Sequence, residues 1–136
     1  MTARATADPG SPVDIYKSVL TEKFAQFSGR ARRAEYWWFV VVNAVVIALL
    51  ALLVVIFASI SDALGVVAWL AYGVYALAVL IPALAVAVRR LHDTGKSGWW
   101  LLIALVPLVG VIVLLVFYFT DSVPGENQYG ASPKYV

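Results

Sequence analysis

Arg89-Arg90-Leu91-His92-Asp93-Thr94-Gly95-Lys96-Ser97-Gly98-Trp99-Trp100 places five ionisable side chains within twelve residues, between two segments that carry no charge. Working outward, Asp62 and Arg89 bracket 26 uncharged residues, Glu35 and Asp62 bracket another 26, and Lys96 and Asp121 bracket 24. Each run exceeds the roughly 20 residues needed to cross about 30 Å of hydrocarbon at about 1.5 Å per residue. The chain has 136 residues, one domain's worth, and is 62% apolar with 13% charged. That balance lies far outside the range of a soluble globular protein.

The expected fold is all-α: a polytopic membrane protein with spans over about 36–60, 63–88 and 99–120, forming a single integral domain over 13–133. Residues 1–12 read as a disordered leader and 121–136 as an irregular polar tail rich in Gly, Pro, Asn and Ser. The first apolar run starts too late and is too long for a cleaved signal peptide. Ser11 supplies an N-cap oxygen and Pro12 suits the first helical position, so an amphipathic helix is expected there. Its apolar residues Tyr16, Val19, Leu20, Phe24 and Phe27 recur at helical spacing. It is expected to lie in the headgroup region, the alternative being packing against the bundle.

Arg30, Arg32, Arg33 and Glu35 precede Tyr36-Trp37-Trp38-Phe39, the order of a cytoplasmic helix entry: cations, aromatic belt, aliphatic span. Ser59 to Asp62 offers the single turn between spans one and two, which predicts a tight antiparallel hairpin. Nine of the ten Lys and Arg residues lie before span one or in the Arg89 loop. The positive-inside rule therefore predicts a cytoplasmic N-terminus. Pro107-Leu108-Val109-Gly110 interrupts the third run. If the chain bends back there, span three is re-entrant, because neither half is long enough to cross.

The chemistry available is limited. No cysteine is present and there is one histidine, so disulfides, thiol nucleophiles and a His/Cys metal set are excluded, and no metal or cofactor is expected. Thr94-Gly95-Lys96-Ser97 ends like a phosphate-binding loop, but Arg90 stands where the earlier glycine is required. His92-Asp93 beside Ser97 invites a hydrolase reading. Sequence neighbours rarely give that geometry, so both are expected to close the loop by hydrogen bonding and no catalytic residue is expected. Glu35 is placed to pair with Arg32 within its helix or with Arg89 or Arg90 across the bundle. Asn43, deep in span one, is expected to link helices by a hydrogen bond, the alternative being a polar pathway that only Tyr72 and Tyr75 could join.

Four blocks carry a family resemblance: Phe27-Ser28-Gly29-Arg30-Ala31-Arg32-Arg33-Ala34-Glu35-Tyr36-Trp37, the Arg89–Trp100 stretch, Pro107-Leu108-Val109-Gly110, and Asn127-Gln128-Tyr129-Gly130 with Pro133. In that order they resemble the YhaH/YhaI-like bacterial inner-membrane proteins of domain of unknown function 805, over about Val13 to Pro133. The family's Asn-Arg-Tyr-Gly reads Asn-Gln-Tyr-Gly here, leaving no cation at Gln128. The resemblance implies a multi-pass protein of the bacterial cytoplasmic membrane. It also implies that Arg30 to Glu35, Arg89 to Trp100 and Asn127 to Gly130 meet in one site, with the tail cytoplasmic.

The functional expectation is a non-enzymatic binding or scaffold protein. A cytoplasmic rim of Arg30, Arg32, Arg33, Glu35, Arg89, Arg90, His92, Asp93, Lys96, Trp99 and Trp100 would meet anionic lipid headgroups or a protein partner, with self-association possible and no nucleic acid involved. The alternatives are a small transporter or channel subunit, and a membrane enzyme acting on a lipid-linked substrate with His92 and Asp93 as acid and base.

Overall fold

The structure, a computed structural model, describes residues 10–134; most of the expected disordered leader lies outside the described residues. The described chain is all-helical: α1 (Pro12–Leu20), α2 (Arg33–Ile60), α3 (Asp62–Asp93), a 3-10 helix η1 (Gly98–Leu105) and α4 (Val109–Phe119).

α1 starts as its sequence directs, with Pro12 in the first turn and the Ser11 hydroxyl accepting from the Asp14 N–H at 3.1 Å. It stops at Leu20, not near Phe27. Phe24 and Phe27 are 40% and 42% exposed, so no core burial compensates for extending the helix to them. The expected headgroup placement gives way to packing on the bundle. Ile15 and Val19 are buried, and Tyr16 stacks on Phe39 at 5.7 Å.

α2 and α3 form the expected antiparallel hairpin around a single non-helical residue, Ser61, whose hydroxyl caps α3 by accepting from the Leu64 N–H. Gly65 lets the helices close. A Cβ there would stand 2.9 Å from the Ala58 backbone. Asn43 on α2 accepts from the Tyr75 hydroxyl on α3 at 2.5 Å, and Tyr75 also bonds Tyr16, so the intramembrane polar group does link helices. Both helices are long and apolar enough to cross a membrane, and only 11% and 17% of their most apolar windows is buried inside the molecule. Side chains such as Leu70, Val74 and Leu77 point outward. Apolar surface on this scale needs a lipid solvent.

The run over 99–120 is not one helix. η1 descends, the chain turns at Pro107–Leu108, and α4 returns, with Trp100 meeting Phe117 edge to face at 5.3 Å across the pair. The turn is a γ-turn in which the Val109 N–H bonds the Pro107 carbonyl at 2.7 Å, and Leu108 holds φ +66°. Gly110 sits against η1, where a Cβ would fall 1.8 Å from the Ile103 carbonyl oxygen. Each arm extends about 16 Å, eight residues at about 2.0 Å or eleven at about 1.5 Å.

Burial concentrates at one end of the molecule. Val19, Ala31, Phe39, Val79 and Val86 form one cluster, and Ala87, Leu91, Leu114 and Tyr118 another. Both flank the last turns of α3, where Arg89 to Asp93 lie.

Candidate functional site

At this polar end Asp93 closes α3, and Arg90, three residues earlier, shares its face. One carboxylate oxygen of Asp93 accepts from the Arg90 guanidinium at 2.6 Å and from the Ser122 hydroxyl; the other accepts from Arg30 Nε at 2.9 Å. The three charged side chains are at most 1% exposed. Two cations on one anion leave a net positive charge away from water, which is tolerable only if the remaining N–H groups are satisfied. They are met by backbone carbonyls. Arg90 donates to Tyr118 at 3.1 Å, Ala31 at 3.2 Å and Thr120, so it satisfies carbonyls that α4 leaves unpaired at its C-terminus. Arg30 donates to Val123, Gly125 at 2.8 Å and Gly130 at 3.2 Å, and so fixes the path of the tail.

A second cluster lies alongside. Glu35 accepts from Arg89 at 2.5 Å and from Lys23 at 3.1 Å, which selects the cross-bundle alternative for Glu35 over pairing with Arg32 in its own helix. Arg89 also donates from Nε to the Gln26 carbonyl at 3.0 Å, while one of its terminal nitrogens is buried with no partner. Arg33 bonds the Phe119 carbonyl at 3.1 Å and lies 3.5 Å from Asp121.

His92 joins the tail to the loop before α2. Its Nδ1 lies 2.9 Å from the Gly29 carbonyl, an acceptor only, so Nδ1 carries the proton in the neutral ring. Tyr129 covers the ring face to face, centroids 3.8 Å apart and planes within 2°. His92 lies beyond the apolar stretch of α3, and burial holds its imidazole below the usual histidine range, opposed by the Gly29 bond. Asn127 donates to the His92 carbonyl at 3.0 Å and Gln128 to the Gly95 carbonyl at 3.3 Å. Asp93 is engaged with arginines and Ser122, not with His92, and Ser97 caps η1 by accepting from the Trp99 N–H. The His92 and Asp93 side chains both hydrogen-bond, but to other segments (Gly29, Arg30, Ser122) and not to close the loop, which backbone bonds from Gly95 and Lys96 to His92 and Leu91 close instead. Among the described residues no group of three or more His, Cys, Asp or Glu could hold a metal.

The three sequence blocks therefore meet, but at two depths. Arg30, Glu35, Arg89, Arg90, His92 and Asp93 are buried and bonded within the chain. Arg32, Arg33 and Lys96 are partly exposed, with Trp99 78% and Trp100 43% exposed. Lys96 lies over the Phe117 ring at 4.6 Å. Sequence reasoning missed Lys23, Ser122 and the carbonyl partners from Val123 to Gly130. Lys23 stands in the amphipathic stretch after α1 as one polar position among several, with nothing to set it apart. Carbonyls carry no residue signature at all.

The chain matches over residues 24–131 a family described as "Protein of unknown function (DUF805)". It is 45% identical over 120 residues to inner membrane protein YhaI of Escherichia coli (strain K12), covering 88% of this chain and 95% of that protein. It is 38% identical over 130 residues to inner membrane protein YhaH of the same strain, covering 90% and 98%. No solved structure matches it. With its exposed apolar hairpin and its buried charged and aromatic end, this small multi-span chain belongs to the DUF805 family of bacterial inner-membrane proteins.

Proposed function

We propose that the protein is a non-enzymatic binding protein of the inner membrane that holds anionic lipid headgroups at a cytoplasmic rim. α2 crosses the membrane from about Tyr36 and α3 crosses back to about Val88. The N-terminus is cytoplasmic because the cations gather before and at the start of α2 and at the end of and after α3, while the connecting turn has none. The η1–α4 hairpin enters from the cytoplasmic side and returns. Supporting this, each arm reaches only about half of a ~30 Å hydrocarbon layer.

The observation that carries the binding reading is the pairing of Lys96 with outward-facing Trp99 and Trp100 at the end where the polar segments gather. Arg30, Arg89 and Arg90 are engaged in the fold and Arg33 is held by Phe119 and Asp121, so Lys96 is the cation edged by the interfacial aromatics Trp99 and Trp100. Each cation near an anionic leaflet contributes roughly 1 kcal/mol. The test is native mass spectrometry of the protein released from mixed micelles. Phosphatidylglycerol should be retained several-fold over phosphatidylcholine, and less so in the Lys96→Gln variant. Equal retention of the two lipids by the wild-type chain contradicts the proposal.

A further inference from the structure

Beside Trp99 lies a groove of about 500 Å³ that takes no part in the buried charge clusters. Phe27, Val88 and Trp99 make its apolar walls, and His92, Ser97 and Tyr129 give it polar lining. Gly98 sets its width: a Cβ there would come within 2.9 Å of Val88, so glycine alone lets η1 start against α3 with Trp99 at the mouth.

The His92 ring is held on two sides, by the Gly29 carbonyl at Nδ1 and by the stacked Tyr129. With the proton on Nδ1, Nε2 presents a lone pair as an acceptor. Among the described residues Nε2 has no hydrogen-bond partner and is not one of the sealed, unpartnered atoms, so it opens where the ring lines the groove. The Ser97 oxygen accepts from the Trp99 N–H, which leaves its own hydrogen to donate.

We infer that this groove selects an anionic phospholipid whose headgroup carries a free hydroxyl, a phosphoglycerol type. The headgroup hydroxyl donates to His92 Nε2, the phosphate accepts from Ser97, next in the chain to Lys96, and the chains follow Val88 and Trp99 toward the hydrocarbon. An ammonium headgroup would also donate to Nε2, but no carboxylate lines the groove to offset its charge on desolvation. This inference rests on the lipid-rim reading above and narrows it to one headgroup chemistry.

The experiment is competitive lipid retention by the full-length protein, read by native mass spectrometry, among phosphatidylglycerol, phosphatidylmethanol and phosphatidylcholine. Phosphatidylmethanol has the same charge without the hydroxyl. Phosphatidylglycerol should exceed it by about fivefold, the worth of one ordinary hydrogen bond. His92→Asn, whose amide N–H can still reach Gly29 while nothing replaces Nε2, should erase that margin and keep the margin over phosphatidylcholine. Equal retention of the two anionic lipids by the wild-type chain overturns the inference and leaves the rim reading standing. Equal retention of all three overturns both.

Discussion

Asp93 is the anion that two buried arginines share, so its charge and not its size is what the polar end depends on. Asp93→Asn keeps the shape but leaves two guanidiniums without a counter-ion. It should lower unfolding stability by about 3–5 kcal/mol and expose the tail to protease, read by thermal unfolding in mild detergent and limited proteolysis. An unchanged midpoint would show that the carbonyls alone hold the arginines. Glu35→Gln, which strips Arg89 and Lys23 of their acceptor charge, should likewise destabilise, whereas Glu22→Gln at an exposed position should change stability by less than about 0.5 kcal/mol. Part of this was legible beforehand: Glu35 faces the α3 end because both enter the bundle at the same level. The Arg90–Asp93 pair was not, because α3 runs on to Asp93 where a loop from Arg89 was expected. That Arg30, not Arg32, reaches Asp93 was not legible. It depends on an extended segment before Arg33, pinned by the Ala31 N–H to the Arg89 carbonyl at 2.9 Å, and no periodicity marks such a segment.

At the scale of elements the hairpin of η1 and α4 is the least regular part and the most exposed to substitution. Gly110→Ala would drive a methyl into the Ile103 carbonyl, and since 1.8 Å cannot be relieved by a side-chain rotation the arms must part. A loss of at least about 3 kcal/mol is expected, seen as a lower unfolding midpoint. Leu108→Gly should do the reverse. The positive φ at Leu108 costs roughly 1–3 kcal/mol in a non-glycine residue, glycine's extra chain entropy returns about 0.5–1 kcal/mol of that, and the side chain is 74% exposed, so about 1 kcal/mol of net gain is expected. A lower midpoint for Leu108→Gly would mean that the leucine packs where the structure leaves it open. The Pro107 to Gly110 interruption signalled the turn in advance. The 3-10 winding of η1 did not announce itself, because Gly98 to Leu105 is apolar on every side and gives no period to read.

The whole molecule divides into a lipid-facing hairpin and a packed polar end, and the division follows from solvent. Away from that end α2 and α3 carry few buried residues, because lipid covers apolar side chains as well as protein does. At the polar end the chain carries charges it cannot leave in hydrocarbon, so it gathers them from α2, α3 and the tail and satisfies them with carbonyls. Composition alone made the membrane legible, and the two long helices followed from run length. Which end collects the tail was decided by the hairpin and by Arg30. The topology proposed above puts both ends of the chain on the cytoplasmic side. The native chain has no cysteine, so Ala131→Cys creates a unique thiol on the tail. Labelled with a membrane-impermeant maleimide, it should stay unmodified in intact spheroplasts and react fully once the membrane is permeabilised; full reaction in intact spheroplasts would place the tail outside and contradict the shared polar end.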